Sequence, residues 1–92
     1  MGYAVITIPS TPDLKAKIIG VSGPADLSNF LVKHVRDNIN RNAAYLKDGN
    51  RLSFNDVAVD SYVILDLVET AGYALKYVSA DKEKTTYVFQ KA

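Results

Sequence analysis

Tyr62-Val-Ile-Leu-Asp-Leu-Val-Glu-Thr-Ala-Gly-Tyr73, followed by Ala74-Leu-Lys-Tyr-Val-Ser79 and Thr85-Thr-Tyr-Val-Phe-Gln90, decides how this chain folds. Ile64, Leu67, Val68 and Ala71 recur at three- and four-residue spacing, with Val63 beside them, which is the apolar stripe of an amphipathic helix. Asp60-Ser61 opens that helix as a natural cap. Gly72 stops it, because glycine takes the left-handed conformation that other residues resist. The two runs that follow are rich in aromatic and β-branched residues and read as a hairpin, Tyr73–Ser79 with Lys84–Gln90 across Ala80-Asp-Lys-Glu83. This last third holds no residue set able to do covalent chemistry, so function is sought in binding.

Working outward, Tyr3 to Ile8 is β-branched or aromatic at nearly every position, a strand ended by Pro9. Ser10-Thr-Pro-Asp13 is turn chemistry. Leu14 to Val21 follows as a second strand, with Lys15 and Lys17 alternating against Leu14, Ala16 and Ile18, one face wet and one buried. Ser22-Gly-Pro-Ala-Asp26 is a helix start, and Pro24 suits the first helical position, where its missing N–H costs nothing. Leu27, Phe30, Leu31, Val35 and Ile39 form the stripe of a helix running to about Arg41, with Lys33, Arg36, Asp37 and Asn40 on the other side. Ala43–Leu46 and Arg51–Val59 flank Lys47-Asp-Gly-Asn50, where Asp-Gly predicts a type I′ hairpin turn.

The expected order is therefore β-β-α-β-β-α-β-β. Short turns make paired strands antiparallel. The expectation is a single α+β domain over residues 1–92, a mainly antiparallel sheet of about six strands with two helices on one face. The other face is left for water or a partner.

Composition narrows the chemistry. The 92 residues make one domain, and 48% apolar content suits a globular protein. With 11 basic and 10 acidic side chains, nothing in the charge demands nucleic acid or an anionic membrane. Cysteine is absent, which removes disulfides, thiolate nucleophiles and sulfur-based zinc sites. His34 is the single histidine. No signal peptide is read at the N-terminus and no window approaches the ~18 apolar residues of a membrane span. The expected location is the cytoplasm, with no metal, no cofactor and no catalytic residues.

Several features nevertheless carry potential chemistry. Gly20-Val-Ser-Gly23, between a strand and a helix start, offers backbone N–H groups to an anion but lacks the Lys-Ser/Thr of a P-loop; a tight turn explains it better. His34 sits beside the apolar stripe and reads as a boundary residue. The serines lack a Gly-x-Ser-x-Gly elbow. Asp56, Asp60, Asp66 and Glu69 fall close together, but Asp66 and Glu69 lie on the wet side of their helix. Lys33, Arg36, Arg41, Lys47 and Arg51 suggest a weak basic patch, and Tyr73, Tyr77, Tyr87 and Phe89 suggest stacking on bases. A ribonucleoprotein motif is missing, so those aromatics are expected to split between the core and a protein interface.

The residues also carry a resemblance. Met1-x-Tyr3-x-x-Ile6-Thr7, then Ile18-Ile19-Gly20, Ser22-Gly-Pro24 and Leu27 resemble the start of the GTP cyclohydrolase I feedback regulatory protein family. Ile64-Leu65-Asp66, Glu69, Gly72-Tyr73, the strand Ala74–Ser79 and Val88-Phe89-Gln90-Lys91 are similar to the end of that family without a gap. The segment from about Val32 to Val59 matches poorly and holds the extra length. The resemblance implies a non-enzymatic regulatory subunit that assembles as a homopentamer and caps GTP cyclohydrolase I. It also implies feedback inhibition by tetrahydrobiopterin and stimulation by phenylalanine at the interface between the two proteins. Ile8, Pro9, Ser10, Lys82, Glu83 and Lys84 then become the expected partner- and effector-facing residues. Glu83 stands where the family carries a glutamine that helps hold phenylalanine. A carboxylate there binds the ligand's ammonium but repels its carboxylate, unless Lys82 or Lys84 compensates. The alternatives are a protein–protein interaction module for another partner and, further off, a single-stranded nucleic-acid binder.

Overall fold

In the computed structural model, which describes residues 2–9, 18–55 and 61–92, the elements run β1 Tyr3–Pro9, β2 Ile18–Ser22, α1 Ala25–Asn38, β3 Tyr45–Asp48, β4 Arg51–Asn55, α2 Ser61–Thr70, β5 Tyr73–Ala80 and β6 Lys84–Lys91. The strands form one six-stranded sheet in the order β3-β4-β2-β1-β6-β5. Every pairing is antiparallel. The fold is α+β in the expected element order.

Register decides which face is buried. Ile6 lies opposite both Val21 and Tyr87, Val21 opposite Leu52, Ile19 opposite Phe54, and Ala4 opposite Phe89. Side chains opposite one another share a face, so these rows make one apolar surface. Leu27, Leu31 and Val35 of α1 and Ile64, Leu67 and Val68 of α2 close over it as a single core. Each large side chain buried there contributes roughly 1.5–3 kcal/mol relative to leaving it in water.

Several local details differ from the sequence reading. Ile18 was expected on the buried side of the second strand; it is 53% exposed, and Ile19 and Val21 are buried instead. The register sets this, because Ile19 must meet Phe54 for Val21 to meet Ile6 and Leu52. Residues 14–17 of that expected strand lie outside the described residues. Pro24 is the N-cap rather than the first helical residue, with φ −64° and ψ 153°. Its carbonyl accepts from the N–H groups of Leu27 at 3.1 Å and Ser28 at 3.3 Å.

Helix α1 stops at Asn38, short of Arg41. The Asn40 N–H donates back to the Val35 carbonyl at 2.8 Å, and the Asn40 side-chain oxygen accepts from the Asn42 N–H at 2.9 Å. Asparagine competing for nearby backbone ends the helix, and Ile39 is left exposed. Strand β3 begins two residues later than expected. Its turn centres on Gly49-Asn50, and Gly49 has φ 59° while Asn50 does not have positive φ. That is the sign pattern of a type II′ turn, not type I′. The expected continuation of β4 over residues 56–59 falls outside the described residues, as does Asp60.

The C-terminal half follows its sequence closely. Gly72 ends α2 with φ 97°. The hairpin pairs Tyr73 with Lys91 and Ala80 with Thr85, with a bulge between Leu75 and Tyr77. Lys91 also donates its Nζ to the Ala71 carbonyl at 3.1 Å and stands 5.0 Å from the Tyr73 ring centre. A cation at the negative end of α2 stabilises its last turn.

One core position departs from the apolar rule. Ser28 on α1 is fully buried and its hydroxyl has no partner among the described residues. Burying an unpaired hydroxyl costs about 1–3 kcal/mol, and alanine fills nearly the same space. Ser28→Ala is therefore expected to raise the thermal midpoint. A lower midpoint would mean that the hydroxyl is paired in solution.

Candidate interaction surface

The expected partner-facing residues come from opposite ends of the chain, and β1–β6 pairing brings them together. Pro9 lies opposite Lys84 and Ile8 opposite Thr85. Ile8 and Pro9 are half-buried, while Lys82, Glu83 and Lys84 are exposed at the hairpin tip beside them. Ser10 lies outside the described residues. Pro9 has no N–H to offer the ladder, so it suits the end of a strand.

Asp81 shapes that tip. Its carboxylate accepts from the N–H groups of Glu83 at 2.8 Å and Lys84 at 2.9 Å, and its own N–H donates to the Lys84 carbonyl at 2.9 Å. The Lys84 and Glu83 backbone donors, in that order, hold the Asp81 carboxyl below its ordinary range. The unfolded chain binds that proton more tightly, so the contribution to stability is present above the ordinary carboxylate range. It is lost as pH falls through the lowered folded value. Asp81→Asn is expected to melt below the wild type at neutral pH, with the gap closing in acid. A gap independent of pH would sink this account.

The sheet's second face is uncovered by either helix. Tyr3, Val5 and Thr7 of β1 lie on it with Ser22, Arg51, Ser53, Thr86, Val88 and Tyr77, by the alternation of the same registers. Leu46 at 77% and Tyr77 at 61% are exposed near its two edges. Of the aromatics of the last hairpin, Tyr73 and Phe89 are in the core as expected, Tyr87 is half-buried, and Tyr77 is exposed.

Other features settle into structural roles. Gly20 to Ser22 belong to β2, and the Gly23 N–H donates to the Asn50 carbonyl at 3.1 Å, so this segment is not an open anion loop. His34 is half-buried, with its ring 5.7 Å from that of Phe30. Asp66 and Glu69 are exposed. Among the described residues, no group of three or more His, Asp or Glu side chains could hold a metal ion.

Of the basic residues, Lys33, Arg36 and Arg41 line one hollow together with Asp37. Lys33 pairs with Asp37 at 3.2 Å, Arg36 lies 5.7 Å from the Tyr45 ring centre, and Lys47 donates to Asn29 on the helical side. Arg51 is on the opposite face. No described helix is long and apolar enough to cross a membrane. Sequence reasoning missed Lys91 as a helix-end cation, because its partner carbonyl at Ala71 is reached only through the β5–β6 pairing.

No family model matches the chain, and no curated protein does. Among solved structures, it is similar to a conserved kinetoplastid-specific protein from Trypanosoma cruzi, with a TM-score of 0.65 at 13% identity. The match covers 100% of this chain and 97% of that one. At that identity the likeness shows the fold alone: an α+β domain with a six-stranded antiparallel sheet and two helices.

Proposed function

We propose that this chain is a non-enzymatic regulatory subunit that works by binding, in the cytoplasm, as a homopentamer on GTP cyclohydrolase I. It carries feedback by tetrahydrobiopterin and feed-forward by phenylalanine. The observation that carries a binding role is the apposition of Ile8–Pro9 with Lys84, which sets an exposed, charged hairpin tip beside the end of β1. A protein that acts by differential binding needs such a surface more than it needs a catalytic cluster. The identity of the partner rests on the resemblance of the two terminal segments. A ring would also cover the two sheet edges, β3 and β5, which pair with no further described strand.

Light scattering on size-exclusion fractions of the protein mixed with GTP cyclohydrolase I tests the proposal. A stable complex is expected, tightened by tetrahydrobiopterin or phenylalanine. Lys82→Ala with Lys84→Ala is expected to weaken it by about tenfold or more, as loss of charged contacts at an interface does. A monomer that ignores the enzyme with and without both effectors removes this partner. The exposed Leu75, Tyr77 and Val78 of the β5 edge favour a second reading, an interaction module for another protein.

A further inference from the structure

The face of the sheet away from the two helices has a hollow of about 380 Å³, and Gly20 is among the described residues that line it. Gly20 is inside a strand that is third of six, where glycine is a poor choice because it packs nothing and loses most entropy on ordering. Its backbone does not require glycine: the positive φ values among the described residues belong to Gly49 and Gly72. Packing does not require it either. Among the described residues, a Cβ at Gly20 would meet only the Thr7 Cβ, at an ordinary 3.8 Å. What glycine does at this position is keep the hollow deep. Interior strand glycines of this kind mark places where a ligand or another backbone approaches.

The lining has a definite chemistry. Thr7, Ser22 and Ser53 surround the floor with hydroxyls, and Arg51 and Lys84 stand at the rim. Asp48 lies opposite Arg51 in the β3–β4 register, and the Asp81 carboxylate lies near Lys84 but is taken up by backbone N–H groups. Neither cation has an ion pair with a described carboxylate.

Their placement sets two separate anchor points. Arg51 is in the row of Ser22 and Val5, and Lys84 is in the row of Pro9. Three strand spacings and four residues separate them, about 19 Å between Cα atoms. Both side chains line the one hollow, so a two-ended anion lying in it meets a cation at each end.

We infer that this hollow binds a small molecule with an anionic group at each end, a dicarboxylate or a bisphosphate, Arg51 holding one end and Lys84 the other. The hydroxyls of Thr7, Ser22 and Ser53 would contact its middle. This site goes beyond the partner proposed above and is tested on the isolated chain, so its failure is distinct from failure to bind the enzyme.

The experiment is an amide NMR titration with adipate and with a hexose bisphosphate, using acetate and inorganic phosphate as one-ended controls. Saturable shifts at Gly20, Ser22 and Ser53 are expected with at least one two-ended probe, and the tighter of the two names the anion. Arg51→Gln and Lys84→Gln should each weaken binding by about tenfold. Gly20→Val should abolish it while the amide spectrum stays folded; Gly20→Ser, a smaller change, should weaken it if the valine variant does not fold. The inference is overturned by absence of saturable shifts with both two-ended probes. Acetate or phosphate binding as tightly as adipate, or both charge variants binding like the wild type, would overturn it equally.

Discussion

Phe54→Ala is expected to lower the stability of the domain by about 3–5 kcal/mol, the range for removing a large aromatic side chain from a core. Phe54 is fully buried on β4, opposite Ile19 on one side and Tyr45 on the other. Its ring centre lies 6.3 Å from that of Tyr45, tilted by 49°. Alanine would lose this contact together with the burial, and leave a cavity between the sheet and the helices. Small domains are stable by only about 5–15 kcal/mol, so a loss of this size removes much of what the fold has. The urea midpoint measures it. Leu46→Ala on the exposed edge is the control and should move it by no more than about 0.5 kcal/mol. Equal midpoint shifts for the two variants would show that Phe54 is not the centre of the core.

Gly72→Val should cost about 1–3 kcal/mol, for a different reason. Gly72 has φ 97°, a region that side chains with a Cβ rarely adopt and β-branched ones adopt least. Around it the chain turns from α2 into β5: the Gly72 N–H donates to the Glu69 carbonyl at 3.0 Å, and its own carbonyl accepts from the Ala92 N–H at 3.1 Å. The cost is backbone strain and not a clash, because an added Cβ would meet only the Lys91 Nζ at 3.7 Å and Cε at 3.8 Å. Lys91→Ala should therefore fail to rescue the valine variant. A rescue would locate the cost in side-chain crowding instead. Gly72→Ala should cost about 1–2 kcal/mol on the same account.

These two positions also mark how far the sequence could be read. Gly72 was legible because its signal is local: an apolar stripe ends, a glycine follows, and a strand-like run begins. The same held for Pro9 at the end of β1. Phe54 was legible only as a member of a strand. Its standing as a core residue came from the β2–β4 register, and that register also turned Ile18 outward against its alternation with Lys15 and Lys17. The ends of α1 and β3 were misplaced because asparagine side chains redirect the backbone through bonds that periodicity does not see. For the candidate surface, Ile8, Pro9 and the hairpin tip were named from a resemblance, and their adjacency is a property of β1–β6 pairing. For the hollow at Gly20 the sequence offered only Gly20-Val-Ser-Gly23, weighed for anion binding and read as a tight turn, whereas Gly20 lies inside β2.

The sequence by itself determined the kinds of element and their order, the helix stripes that become buried, and the stop at Gly72. Those depend on forces acting within a few residues: side-chain spacing, capping, and the conformations glycine and proline permit. Only the tertiary structure decided that β1 lies between β2 and β6, that Pro9 meets Lys84, and that Gly20 floors a hollow between Arg51 and Lys84. Those outcomes depend on how distant strands register so that the apolar rows of Ile6, Val21 and Leu52 align beneath two helices. That choice is made by burial of the whole surface at once and is not carried by any one segment.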